Sequence, residues 1–262
     1  MSVEIMQSGG IAMRYFRFGN ENGQPFIIIP GVALKSVMES EELIRVQYSA
    51  IAEECCIYVF DRREDAPEDL SIYDMADDTV IALDTLGIKK AVLYGVSQGG
   101  MIALTAAIKR PDLISRLIVC STAPYIPKAA ADVFESWAVL AESRRREDLV
   151  MSFAENVYTE GYRRQYHDAF ISFADSVTDG ELARFVIMSN SFKGFDIRSE
   201  LSSIAVPVLT IGAKNDKLFG TEGSELIAAQ TNGKKILYPN DAHGVYDENA
   251  DVLVQIAEHL KK

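Results

Sequence analysis

Ala91-Val92-Leu93-Tyr94-Gly95-Val96-Ser97-Gln98-Gly99-Gly100-Met101-Ile102-Ala103-Leu104 runs from a four-residue apolar strand, through a glycine-rich turn, into an almost wholly apolar helix. The spacing of Gly95, Ser97 and Gly99 at such a junction is that of a nucleophile elbow, where a tight strand-to-helix turn pushes a serine hydroxyl clear of the backbone. Glycines at 95, 99 and 100 permit a close approach of strand and helix that a side chain would block. The plainer alternative, a glycine-rich turn with an incidental serine, is disfavoured by the apolar elements on both sides.

Outward from this stretch, strand and helix signals alternate. Towards the N-terminus, Glu4 to Ser8 and Ala12 to Phe18 read as a hairpin across Gly9-Gly10, and Phe26 to Ile29 is a continuous apolar run ending at Pro30-Gly31. A helical segment from about Glu41 to Glu53 leads to the apolar run Ile57 to Phe60 and then Asp61. Ser71 starts a helix as its N-cap, with Asp74 in the capping-box position and Gly87 closing it. Its acids Asp74, Asp77, Asp78 and Asp84 are expected on a solvated outer face. Towards the C-terminus, the elbow helix stops before Pro111 and the strand Leu117 to Cys120 follows. This β-α-β-α-β order predicts an α/β fold, a mostly parallel eight-stranded sheet with helices on both faces.

From Pro124 to about Ile204 the periodicity is helical without convincing strands. The sheet pattern resumes with Val206 to Ile211, a helix near Glu222 to Gln230, the strand Lys235 to Tyr238 and a helix from about Ala250 to Leu260. The expected organisation is a core of 1–124 and 205–262 interrupted by a helical cap at 125–204. Length alone, 262 residues, allowed one domain or two.

Composition narrows the partners. Twenty-six Lys and Arg against 38 Asp and Glu give a net charge of −12, which repels phosphate backbones and anionic lipid, so neither nucleic acid nor a membrane is an expected partner. The three cysteines, Cys55, Cys56 and Cys120, form no disulfide or metal-ligand pattern and read as reduced core fillers. No basic segment leads into an apolar one near Met1, and no apolar run approaches the ~18 residues of a membrane span, so a cytoplasmic location is expected. Gly95 to Gly100 is neither a spaced dinucleotide fingerprint nor a P-loop, so no cofactor or metal is expected.

A serine hydroxyl needs an adjacent base, usually a histidine held by a carboxylate. Of three histidines, His259 falls in the last helical turn, where exposure is expected, and His167 sits among Arg163, Arg164 and Asp168 in a surface setting. His243 follows a strand in the loop Pro239 to Gly244 and is the candidate base. Asp216 lies just past the strand ending at Ile211, the edge where open α/β sheets keep their sites, and is preferred over Asp241 as the orienting acid. Oxyanion N–H donors are expected from Gln98, first in its helix, and from Val32 after Pro30-Gly31. Trp137, Tyr158, Phe170, Phe173 and Phe192 are candidates for an acyl pocket, with core packing the commoner role for any one of them. Arg144-Arg145-Arg146 reads as a solvated helix end that would favour anionic substrates only if it faced the cleft.

With these residues in hand, the chain resembles the α/β-hydrolase superfamily over nearly its whole length. The resemblance runs through Pro30-Gly31, Asp61-Arg62-Arg63, Gly95 to Gly100, the helical stretch after Cys120, Gly212 to Asp216, and Ala242-His243. Gly99 to Ala103 is similar to the corresponding stretch of 3-oxoadipate enol-lactonases and related small carboxylesterases. The resemblance implies Ser97 as nucleophile, His243 as base, Asp216 as its orienter, and Val32 and Gln98 as oxyanion donors. It departs from the family in Pro30-Gly31, where His-Gly is common, which alters the support of the oxyanion loop. It departs again in Arg63 to Pro67, where a glycine-rich stretch is usual, so substrate contacts of that loop do not carry over. The function implied is hydrolysis of a small carboxylic ester, lactone or thioester through an acyl-serine. Carbon–carbon bond hydrolysis, perhydrolysis and lyase chemistry use nearly the same residues, and a slow-turnover, receptor-like ligand binder on the same fold is a further alternative. The partner is a small-molecule substrate; oligomeric state is left open.

Overall fold

The computed structural model describes residues 3–261. Eight strands form one sheet: β1 (Glu4–Ser8), β2 (Ile11–Gly19), β3 (Gln24–Ile29), β4 (Cys55–Phe60), β5 (Ala91–Val96), β6 (Ile114–Cys120), β7 (Val208–Ala213) and β8 (Lys234–Tyr238). Their spatial order is β1-β2-β4-β3-β5-β6-β7-β8. The hairpin β1-β2 is antiparallel, β2 meets β4 antiparallel, and all pairs from β4 onward are parallel. Gly9 and Gly10 turn the hairpin with φ of 60° and 81°, values that side chains disfavour at consecutive positions.

The unbroken apolar runs have a direct cause. In β3, Ile27 and Ile29 enter one hydrophobic cluster and Phe26 and Ile28 the other; in β6, Leu117 and Val119 part from Ile118 and Cys120 in the same way. Helices Ile72–Thr85 and Gln98–Lys109 supply Ile72, Met75, Met101 and Ile102 to the first cluster, whereas Ile51, Val252 and Ile256 cover the opposite face. With both faces covered, the stretches Phe26 to Ile29 and Leu117 to Cys120 leave no position for a polar residue to face water. Cys55, Cys56 and Cys120 are free and buried within this packing.

Helices Lys128–Glu142, Arg146–Val157, Glu160–Gln165, His167–Ser176 and Asp179–Asn190 lie between β6 and β7. The two ends of this stretch meet: Tyr125 and Asp196 form an isolated antiparallel bridge, and the Ile197 N–H donates to the Pro124 carbonyl at 2.8 Å. No helix among the described residues is long and apolar enough to cross a membrane.

Several local expectations need correction. The helix expected over 41–53 is two short helices, Glu41–Gln47 and Ser49–Ala52, preceded by a 3-10 turn, Val37–Ser40. Asp78 is not on the solvated face of Ile72–Thr85; it is 2% exposed because it shares a stripe with Met75 and Ala82, and the Arg63 guanidinium grips its carboxylate with both Nε and Nη2. His259 is 8% exposed, since it continues the inward stripe Val252, Ile256 at helical spacing. The Ser71 capping box forms as expected, with Asp74 N–H donating to Ser71 Oγ and Ser71 N–H to Asp74.

Asp78→Asn should cost about 2–3 kcal/mol, less than a fully buried broken pair because Arg63 keeps partial contact with solvent. Urea unfolding should show a lower midpoint at unchanged slope; an unaltered midpoint would mean the pair contributes nothing net.

Candidate active site

Ser97 stands between β5 and helix Gln98–Lys109 with φ 52° and ψ −117°, a strained conformation for a side-chain-bearing residue. The surroundings hold it there. Its N–H donates to the Cys120 carbonyl at 2.9 Å, and its own carbonyl accepts from Gly100 N–H at 2.9 Å and Thr122 Oγ1 at 2.7 Å. Gly99 makes the turn possible, because a Cβ there would collide with the Ile29 carbonyl oxygen and lie 2.5 Å from that of Pro30. A Cβ added to Gly31 would sit 3.2 Å from Ser97 Cβ, which measures how closely the loop after β3 approaches the serine.

Asp216 follows β7 and is buried with His243, side-chain exposures being 1% and 2%. Its Oδ1 accepts from the N–H groups of Leu218 at 2.8 Å and Phe219 at 3.0 Å, and its Oδ2 lies 2.9 Å from His243 Nδ1. In the tautomer that donates Nδ1–H to Asp216, the lone pair of the imidazole lies on Nε2. The His243 carbonyl accepts from Ser121 Oγ at 2.6 Å, and the Gly244 N–H donates to the Val157 carbonyl at 2.6 Å. The competing acid, Asp241, turns instead to Asn249 Nδ2 at 3.2 Å.

Ser97 and His243 line one cavity, together with Gly31 and Val32. The rest of its wall is apolar or aromatic: Phe134, Trp137, Phe153, Val157, Leu218 and Tyr246. Its volume is about 10 Å³, room for about one water molecule. Of the five aromatics singled out from sequence, Trp137 alone lines it; Phe192 stacks behind Phe134 with ring centroids 3.9 Å apart. Arg144 and Arg146 pair with Asp179, and Arg145 with Asp148, away from the cavity. His167 is exposed beside Asp168. Among the described residues no group of three or more His, Cys, Asp and Glu side chains is arranged to hold a metal.

Gln98 follows Ser97 directly, and Val32 lines the same cavity. The first N–H of a helix has no intrahelical acceptor, and Gln98 occupies that position. The Gln98 side chain, fully buried, gives Nε2 to the Met188 carbonyl and to Ser191 Oγ, each at 3.1 Å. Two residues with structural duties at the site escape the sequence: Ser121 and Thr122 act through long-range contacts that no local pattern announces. A hydroxyl at a helix head, sharing a cavity with an imidazole anchored on a buried carboxylate, is chemically suited to base-assisted nucleophilic attack.

Comparison with known proteins agrees with this fold. The family model described as alpha/beta hydrolase fold matches residues 24–250. The 3-oxoadipate enol-lactonase 2 of Acinetobacter baylyi is 25% identical over 145 residues, spanning 55% of this chain and only 54% of that protein. A putative carbamate hydrolase, RutD, of Serratia proteamaculans is 25% identical over 77% of this chain and 79% of its own length. Among solved structures, the enol-lactonase of Burkholderia xenovorans superposes with a TM-score of 0.86 at 19% identity, covering 99% of this chain and all of that one. MGS-M2, an alpha/beta hydrolase enzyme from a deep-sea metagenome library, gives 0.89 at 18% identity, covering 99% of this chain and 98% of its own. With the family model spanning most of its length, the chain belongs to the alpha/beta hydrolase fold family.

Proposed function

We propose that this protein is a serine hydrolase that cleaves a small, uncharged carboxylic ester, lactone or thioester through an acyl-Ser97 intermediate, with residues 125–204 serving as a cap. The observation carrying this reading is the cavity shared by Ser97 and His243, with His243 Nδ1 2.9 Å from Asp216.

In this mechanism His243 Nε2 takes the proton from Ser97 Oγ as the oxygen attacks the substrate carbonyl carbon. Negative charge then develops on the carbonyl oxygen, where the N–H groups of Val32 and Gln98 meet it. Collapse expels the alcohol or thiol, which leaves with the proton from His243. Water, deprotonated by the same nitrogen, releases the acid and restores Ser97. Asp216 keeps the imidazole in the required tautomer throughout.

The wall chemistry supports an uncharged substrate, because a carboxylate placed against Phe134, Trp137 and Leu218 would be desolvated without a partner. The small volume supports a short acyl group. Ligand pockets typically span about 300–1,000 Å³, so any ester requires the aromatic wall to give way, and a short acyl group asks least of it. Polar ties also join this stretch to the core near the cavity: Tyr158 OH donates to Asp247 at 3.0 Å, and Thr159 N–H to Glu248 at 3.0 Å.

The test is a fluorophosphonate probe followed by a panel of nitrophenyl esters. Wild type should be labelled and Ser97→Ala should not; the acetyl ester should exceed the hexanoyl and the negatively charged succinyl esters by about 10-fold or more in kcat/KM. Absence of labelling on folded wild type would sink the hydrolase reading, and a preference for the succinyl ester would sink the uncharged-substrate part of it.

A further inference from the structure

Arg62 carries a partly buried guanidinium whose hydrogen-bond partners are all neutral. Its Nη2 donates to the Pro30 carbonyl at 2.6 Å and to Gln98 Oε1 at 3.2 Å, and its Nε donates to the same Gln98 oxygen at 3.3 Å. Among the described residues no carboxylate oxygen pairs with it. Asp61 faces Arg14 and Arg184, and Asp78 is taken by Arg63. Burial pulls the Arg62 guanidinium down to about 10, which still leaves it charged at neutral pH. Desolvating a cation against neutral acceptors is unfavourable, so packing alone is a poor reason for an arginine here.

Its partners suggest the reason. Pro30 begins the loop that carries Val32, and Gln98 is the residue after Ser97, so one planar fork spans the two backbone segments whose N–H groups the proposed mechanism uses. We propose that Arg62 is a positioning residue that sets the spacing of these two oxyanion donors and adds a fixed positive charge behind them; this rests on the serine hydrolase reading above. The fork also reaches the helix Asp179–Asn190, because the Gln98 amide continues to the Met188 carbonyl and Ser191. Arg184 of that helix clamps the loop from its other side by donating to the carbonyls of Arg62 at 3.0 Å and Arg63 at 2.9 Å. Donor spacing is thereby joined to the seating of the helices above the cavity. Arg62 does not line the cavity, and its Nε and Nη2 are engaged by Gln98 and Pro30, so it is not placed as a docking point for a substrate anion.

Hydrogen bonds to a developing oxyanion act in the transition state more than in the ground state, so their loss falls on kcat. Arg62→Met, assayed with nitrophenyl acetate, should lower kcat about 100-fold with KM changed less than about threefold, and should slow fluorophosphonate labelling to a similar extent. Arg62→Lys, which keeps the charge without the planar fork, should fall between the two. Millimolar guanidinium should restore part of the activity of Arg62→Ala and none of Ser97→Ala. Gln98→Met removes the same bridge from its other end; it should show the same kcat-selective loss, and the double variant should be no worse than the poorer single one. A folded Arg62→Met with kcat within threefold of wild type would overturn the proposal, as would a loss confined to thermal stability. Should Arg62→Met fail to fold, additive losses in Gln98→Met and Arg62→Lys would overturn it equally. Activity that survives Ser97→Ala would instead remove the hydrolase reading, a result distinct from any of these.

Discussion

Ser97→Ala should lower kcat by about 10⁶-fold while leaving the melting temperature within about 2 °C. The two halves of this expectation have separate origins. Alanine inherits the φ of 52° that the neighbouring contacts impose and loses only a hydroxyl, so the fold has little to lose. On the proposed mechanism the chemistry loses its nucleophile, and the residual rate reflects binding and oxyanion stabilisation alone. Asp216→Asn should cost about 10⁴-fold, because an amide opposite Nδ1 permits the tautomer with the wrong free nitrogen. Asp241→Asn is the matched control and should stay within about twofold, its carboxylate being turned to Asn249. Steady-state kinetics with one ester decide all three. Comparable losses at Asp216 and Asp241 would refute the assigned orienter, and substantial turnover by Ser97→Ala would refute the assigned nucleophile.

Gly99→Ala should be the most damaging single-methyl addition in the chain. The new Cβ would meet the carbonyl oxygens of Ile29 and Pro30, backbone atoms at the end of β3 that cannot swing aside as a side chain would. Separating the elbow helix from β3 disturbs the most buried part of the sheet, and the expected cost exceeds about 4 kcal/mol against a typical total of about 5–15. The variant should be insoluble or melt about 10 °C or more below wild type. Gly161→Ala provides the contrast. It lies in helix Glu160–Gln165 with nothing within 4 Å of the added Cβ, so it should be neutral or stabilising by about 0.5 kcal/mol. Equal melting temperatures for the two alanine variants would show that the close approach at Gly99 is not a constraint.

What was legible in the chain follows from how each feature is encoded. A strand covered on both faces is written as an uninterrupted apolar run, so Phe26 to Ile29 and Ala91 to Tyr94 announce themselves. The serine at an elbow and a histidine in a strand-end loop are nearly as plain, because few residues compete for those positions. Asp78 and His259 were misplaced although the signal was present. Both continue buried stripes at helical spacing, but polar side chains weigh towards solvent unless a partner is known, and Arg63 is supplied by a distant loop. The wall of the cavity was less legible still: Phe134 and Phe153 differ in no local property from Phe170 and Phe173, and only the packing of one helix on another separates lining from core. The Arg62 fork is of the same kind, since its meaning resides in two carbonyl-type oxygens contributed by separate parts of the chain.

The meeting of Tyr125 with Asp196, and of Pro124 with Ile197, has a consequence for how such a protein can change. A stretch whose two ends already touch can be exchanged as a cassette without altering the register of β6 on β7. Phe134, Trp137, Phe153 and Val157 all lie inside that stretch, whereas Ser97, Asp216 and His243 all lie outside it. On the proposed reading, much of the apolar wall and the reacting groups therefore lie on separable pieces of chain, with Leu218 and Tyr246 of the wall staying with the core, and recombination across the Tyr125–Asp196 bridge is a route by which the wall can vary while Ser97, Asp216 and His243 stay where they are.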